Sequence, residues 1–272
     1  MKKALKIYLP FASNEIKRLL AYKASFYLFI VISLLGSFVS YYLWMAIYGS
    51  SESGIIGGLT KDEMVVYIFM IYVTTSILGV SISEWISDDV TKGTIAMNLI
   101  KPIDYRLSLI VRACGTVVYN FFVPSVFVWI GLEIYRVFAL HMKPTSPLTI
   151  LVYLVSCILS FLIYVLFDFC FGMVSFSTTY IFGLILVKDA LMSFLTGHLI
   201  PISLFPKVLQ DIFDFLPFSS MAYTPVMIYI GKYTGKTLCF MLLRQVIWVV
   251  ILYLLGSFSW NKIKRRLNVL GG

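Results

Sequence analysis

The sequence predicts an all-α integral membrane protein with six transmembrane helices. Three observations carry that prediction. Of 272 residues, 60% are apolar and only 13% are charged, and the mean hydropathy is +0.92. A soluble domain exposes too much of its surface to hide so much apolar side chain. Composition therefore excludes a soluble globular domain, a disordered chain and a collagen-like one. Six spans of about 20 residues use roughly 120 residues. The loops must then be short, and 1–272 forms a single transmembrane domain.

The first element covers 1–23. Leu5, Leu9, Ala12, Ile16, Leu19 and Leu20 share one helical stripe, with Lys6, Lys17, Arg18 and Lys23 largely off it. That pattern suits a helix lying on the inner leaflet, its basic residues toward anionic headgroups. A polar cap to the first span is the other reading. The six apolar runs follow at 24–48, 64–83, 107–133, 148–175, 179–197 and 237–260. The first run is full length and no A-x-A site follows it, so the N-terminus does not read as a cleavable signal.

Orientation comes from the basic residues, which give a net charge of +9. Thirteen of them lie before span one, between spans two and three, and after span six; six lie in the loops of the other side. Lys and Arg are favoured in cytoplasmic loops, so both termini are expected inside, which an even number of spans requires. The charge thus reflects topology rather than nucleic-acid binding. A bacterial plasma membrane is the expected location.

Two non-spanning segments are the most informative. In 84–106, Gly93 can stop a helix at Lys92, and Pro102 stops a second one after Leu99. Ile86, Val90, Ile95 and Leu99 are too few to span. A short helical hairpin at the membrane surface is expected, with Glu84, Asp88 and Asp89 giving it an acidic side suited to a groove on another protein. A solvated loop is the alternative. In 198–236, an apolar stretch is broken by Pro201, Pro206, Pro217 and Pro225. Each Pro removes a backbone donor and discourages helix continuation. Non-helical backbone at membrane depth survives only where protein buries it or a cavity is lined by it. Short re-entrant or interfacial helices on the outer side are expected.

At these two segments the sequence resembles the permease subunits of ABC-2-type (type V) ABC transporters. The match comprises Ile86, Gly93-Thr94-Ile95, Leu99 and Lys101-Pro102-Ile103, then FLTGHLIPISLFP at 194–206, Leu216-Pro217-Phe218 and Pro225. The resemblance implies a six-span subunit of an exporter for an amphiphile: a lipid-linked molecule, a peptide or a drug. It makes 84–106 the coupling segment, with Glu84, Ile86, Asp88, Asp89, Val90, Gly93, Ile95 and Leu99 receiving force from the ATPase. It makes Gly197, Pro201, Phe205, Pro206, Pro217 and Phe218 an external gate. The implied partners are cytoplasmic ABC ATPase subunits carrying the ATP and Mg, a second permease chain (identical or different) and membrane lipids.

No ATPase is expected in this chain. Residues 231–237, GKYTGKT, fall one residue short of the GxxxxGK[ST] phosphate loop and follow no strand. His141 and His198 lack further ligands for a metal. Cys114, Cys157, Cys170 and Cys239 lie in apolar runs with no zinc or disulfide spacing. No GxSxG or HExxH occurs, and no inverted repeat with paired broken helices is evident. Trp44, Trp85, Trp129 and Trp260 fall near span ends, where indoles favour the headgroup layer.

Charges within spans are costly and therefore informative. Lys188 and Asp189 sit near the middle of span five. They are either satisfied by neighbouring helices or line a pathway. Arg244 lies about a third of the way into span six. Arg112 and Asp168, near span ends, are expected to snorkel. Two other functions stay open on these residues. One is an ion- or proton-coupled transporter built on Lys188 and Asp189. The other is a non-transporting immunity or sensor subunit.

Overall fold

The computed structural model describes residues 2–21, 23–51, 54–178 and 181–270. Thr179 and Tyr180, the first two residues of the fifth expected span, lie outside the described residues.

Helices form where the apolar runs predict them, and their ends follow local chemistry. Helix α1 is Lys2–Ala21 and α2 is Lys23–Gly49. A short hairpin, β1 Ile55–Ile56 and β2 Leu59–Thr60, precedes α3, Lys61–Leu78. Helix α3 starts with a capping box, in which Thr60 and Glu63 each accept the other's backbone N–H. Next come α4, Ile82–Thr91, and α5, Thr94–Ile100. Helix α6, Tyr105–Asn120, runs through a π-turn at Phe121–Ser125 into α7, Val126–Phe138. Pro124 sits in that turn. Its missing N–H and its ring break the regular ladder, and the wider turn absorbs both.

Helix α8, Pro147–Gly172, begins with Ser146 as N-cap and Pro147 in its first turn. Helix α9 is Phe182–Leu195. A single turn, Ile202–Leu204, then α10 Lys207–Phe215, α11 Phe218–Met221 and α12 Tyr223–Ile230 lead to α13, Gly235–Leu270.

Four stretches are long and apolar enough to cross a membrane: Lys61–Thr91, Tyr105–Phe138, Pro147–Phe176 and Gly235–Arg265. Helix α2, with 27 residues, extends about 40 Å and also has the length. Helix α9 differs from the expected span. Its 14 residues reach only about 21 Å, against a hydrocarbon core of about 30 Å. It ends at Thr196-Gly197, where Gly197 turns the chain at a φ of +80°.

Helix α8 is the hub, packing on α13, α12, α11 and α4. Hydrophobicity does not draw helices together in lipid, so close packing and polar contacts must. Gly256 of α13 lets Phe169 and Cys170 approach to 3.4 Å of where a Cβ would stand. Gln245 of α13, fully buried, donates to Ser160 Oγ at 2.9 Å and to the Ser220 carbonyl at 2.8 Å, and accepts from Ser156 Oγ at 3.0 Å. One amide thus ties α8, α11 and α13.

The core divides in two. One cluster, around Tyr67, Tyr153 and Tyr229, joins α3, α8 and α12. The other, around Ile86, Ile95, Phe169 and Trp260, joins α4, α5, α8 and the far part of α13. The second lies at the end of the bundle where the expected cytoplasmic loops gather, the basic end.

Helix α1 packs along α6 rather than standing apart from the bundle. At the crossing, a Cβ on Gly115 would stand 2.5 Å from the Ala12 carbonyl oxygen.

Candidate functional site

Helices α4 and α5 form an elbow at the basic end. Helix α4 stops where Gly93 takes the left-handed conformation, φ 70°, which only glycine adopts without strain. Asp89 holds the elbow closed. Its carboxylate accepts from Thr94 Oγ1 at 2.7 Å, Asn98 Nδ2 at 3.0 Å and Tyr105 Oη at 2.7 Å. One side chain therefore fixes α4, α5 and the start of α6 together.

The eight residues assigned to this segment divide by direction. Ile86 and Ile95 are buried, and Val90 and Leu99 pack partly against the same cluster. They hold the elbow to the bundle, Val90 and Leu99 remaining partly exposed. Glu84 and Asp88 are exposed, Asp88 in a pair with Lys92 at 2.6 Å. Met97 and Ile100, which sequence reasoning did not single out, are 64% and 83% exposed. The exposed side chains of the elbow thus include two carboxylates, one of them paired with Lys92, and two large apolar groups.

The N-terminus of α4 reaches into the bundle. Asp168 of α8 accepts from the Ser83 backbone N–H and from Ser83 Oγ, both at 2.8 Å. A carboxylate there satisfies an orphan helix donor and complements the helix dipole. Lys188 of α9 closes the cluster. Its Nζ lies 2.5 Å from Asp168 Oδ1, 3.1 Å from Ser83 Oγ and 3.1 Å from Asp189 Oδ1. Three partners use all three ammonium donors. Asp168 is 1% exposed and Lys188 7%. Asp168 therefore does not snorkel as the sequence suggests, because Lys188 and Ser83 satisfy it within the protein. Helix α4 also sits tightly on α8: a Cβ on Gly172 would stand 2.7 Å from Ile86 Cδ1 and 3.1 Å from Ser83 Cα.

A second relay ties α4 to α1. The Arg112 guanidinium lies over the Trp85 ring at 3.9 Å and donates to Glu15 Oε2 at 2.8 Å. Arg18 binds the same carboxylate. Burial alone would raise the Glu15 pKa, but the hydrogen bonds and charges of Arg18 and Arg112 outweigh it and hold the group below its ordinary value. A lowered carboxylate pKa contributes stability above the unfolded value and loses it as pH falls through the folded one. Acidification below the ordinary glutamate range is therefore expected to loosen α1 from α6. Proteolysis within α1 should accelerate over that window, and Glu15→Gln should remove the pH dependence.

At the opposite end, Gly197 sits against α3. Its carbonyl accepts from Tyr67 Oη at 2.6 Å. Pro201 precedes the single turn and is buried, and Pro206 precedes α10. Phe205 meets Phe213 edge-on at 5.2 Å. Gln210 closes this corner by donating to the carbonyls of Ser203 and Phe205. Pro217 precedes α11, and Phe218 packs on Phe167 of α8 at 5.4 Å. Helix α12 is buried from Tyr223 to Tyr229. Arg244 of α13 donates to the Asp214 carboxylate and carbonyl and to Thr224 Oγ1. It anchors this segment to α13.

Helix α9 joins the two ends. Lys188 lies in its middle and Leu195 at its last turn, seven residues or about 10 Å further on. Gly197 follows after Thr196. Among the described residues no group of three or more His, Cys, Asp or Glu is placed to hold a metal ion.

A family model described as ABC-2 family transporter protein matches residues 31–271. A search of curated proteins found no match to the chain. Helix α1 lies ahead of the matched residues.

Proposed function

This chain belongs to the ABC-2 family of transporter proteins, and on that premise we propose that it is the membrane-spanning subunit of an ATP-driven exporter of amphiphiles. Members of the family are in general non-catalytic membrane subunits that work with ABC ATPase subunits. Six crossings, both termini in the cytoplasm, a second permease chain, and ATP with Mg on the partner ATPase complete the reading.

The observation that carries it is the Asp168–Lys188–Ser83 cluster. A rigid elbow with an exposed acidic and apolar face is pinned, at the first turn of α4, to both α8 and α9. Force on that face reaches α9, and about 10 Å of helix carries it to Gly197. The same geometry disfavours Lys188 as an ion-coupling group, since its three donors already have protein partners.

Gently solubilised, tagged protein from its own host is expected to retain a stoichiometric ATPase. Gly93→Pro should diminish both the retained ATPase and its activity, because a φ of +70° is closed to proline and the Gly93 N–H, which donates to the Val90 carbonyl, is lost. Wild-type protein that purifies intact, with no ATPase and no nucleotide-dependent activity, would overturn the reading.

A further inference from the structure

Helix α2 packs mainly on α3, and a cavity of about 360 Å³ opens between them. Its volume falls in the range of small-molecule sites, about 300–1,000 Å³. The lining carries the small and hydroxylated residues common at seams between membrane helices, with polar groups at both ends. Ser37 and Ser40 of α2 face Thr75 and Ser76 of α3, with Asn120 at one end and His198 at the other. Trp44 and Tyr67 add aromatic walls toward the His198 end. From Tyr67 to Gly79 the cavity follows twelve residues, about 18 Å of helix.

Among the described residues no Asp, Glu, Lys or Arg lines it. His198 is exposed at the mouth of the cavity, and partial desolvation lowers its imidazole pKa from the ordinary value. The Asn120 amide already donates to the Ser76 and Gly79 carbonyls and Tyr67 Oη to Gly197, so the chemistry offered is mainly acceptor oxygens, an imidazole and aromatic faces. Thr75 Oγ1 donates to the Ile71 and Tyr72 carbonyls, so its lone pairs remain to accept. A phosphate or carboxylate would lose its hydration here without gaining a cation, at high cost. A hydroxylated, uncharged headgroup loses only hydrogen bonds, and as a donor it can regain some of them on the acceptor oxygens of this wall. Between α2, α3 and α7 a second cavity of about 360 Å³ is lined by Leu34, Phe38, Phe69, Val128 and Leu132, with Tyr41 and Tyr135. Two cavities thus adjoin α2, and hydrocarbon chains have apolar surface in the second.

We propose that the cavity between α2 and α3 is a binding site for a lipid with an uncharged, polyhydroxylated headgroup, in the manner of a neutral glycolipid. The proposal rests on the permease reading for its meaning as a substrate or entry site, but binding itself requires no ATPase.

The test is native mass spectrometry of the full chain in mild detergent, titrated with an equimolar mixture of monoglucosyl diacylglycerol and phosphatidylglycerol carrying identical acyl chains. The glucolipid adduct is expected to exceed the phosphatidylglycerol adduct by at least about tenfold, the ratio one net hydrogen bond supplies. Ser40→Leu, which fills the cavity, and Thr75→Val, which removes one hydroxyl at nearly constant shape, should each lower glucolipid retention and leave phosphatidylglycerol retention unchanged. Thermal unfolding of both variants accompanies the titration, and Thr75→Val decides the matter if Ser40→Leu fails to fold. Equal retention of the two lipids, preference for the anionic one, or glucolipid retention indifferent to both substitutions would overturn the proposal. None of those outcomes touches the ATPase copurification, so the site and the permease reading fail separately.

Discussion

Asp168→Ala is expected to destabilise the chain by about 3 kcal/mol and to abolish nucleotide-driven transport even in the fraction that folds. The carboxylate accepts two hydrogen bonds from Ser83 and one from Lys188, at 1% exposure. Alanine leaves a buried ammonium and a helix N-terminal N–H without it. Breaking a buried pair by removing one partner costs about 3–5 kcal/mol. Asp189, 3.1 Å from the same ammonium and 53% exposed, keeps the cost at the low end. Stability and coupling are separable. Asp168→Asn with Lys188→Met removes both charges, while the Asn oxygen can still accept the Ser83 N–H. That double variant is expected to melt within a few degrees of wild type, since replacing both members of a buried pair is often nearly neutral. It should still fail to transport, because α9 no longer grips α4. Thermal unfolding and ATP-dependent transport in proteoliposomes measure the two quantities. A double variant that transports at the wild-type rate would reduce the cluster to a packing element.

Why this cluster escaped sequence reasoning is a matter of distance along the chain. Asp168 lies 85 residues from Ser83 and 20 from Lys188, and no local pattern joins them. Hydropathy located the long helices because each must be apolar over about 20 residues. Gly93 and Pro102 marked the elbow because they act on their own backbone. The facing of Ile86 and Ile95 was not legible: an apolar stripe on a short helix suits a partner's groove and its own bundle equally. The π-turn at Phe121–Ser125 had its signal in Pro124, which sits in the middle of an otherwise continuous apolar run. Arg244 and Lys188 were legible as costly charges, but only packing shows that each is spent on neighbouring helices. Gln245 carried no signal beyond being an amide in an apolar run. The shortness of α9 was half legible, since Thr196-Gly197 is a turn signal.

Gly197→Ala is expected to produce the second large effect, and a companion variant can divide it. The glycine is required twice. Its φ of +80° would cost an L-residue about 1–2 kcal/mol. A Cβ would also stand 2.8 Å from Tyr67 Oη and 3.2 Å from Tyr223 Cδ2. Both tyrosines are buried, and Tyr67 donates its hydrogen bond to this same residue's carbonyl, so neither ring has room to yield. The turn should therefore shift, taking with it the link between the end of α9 and the wall of α3. Substrate efflux should fall by at least about tenfold while copurified ATPase is retained, because the elbow at the basic end is untouched. Tyr67→Phe alone removes the hydrogen bond, for about 1 kcal/mol or somewhat more. Combined with Gly197→Ala it removes the hydroxyl that the new methyl meets. The double variant is then expected to be less impaired than the sum of the singles, and the residue of the effect measures backbone strain. Strict additivity would instead mean that the Tyr67 hydroxyl is not what opposes a side chain at position 197, and that the turn's conformation alone sets the requirement for glycine.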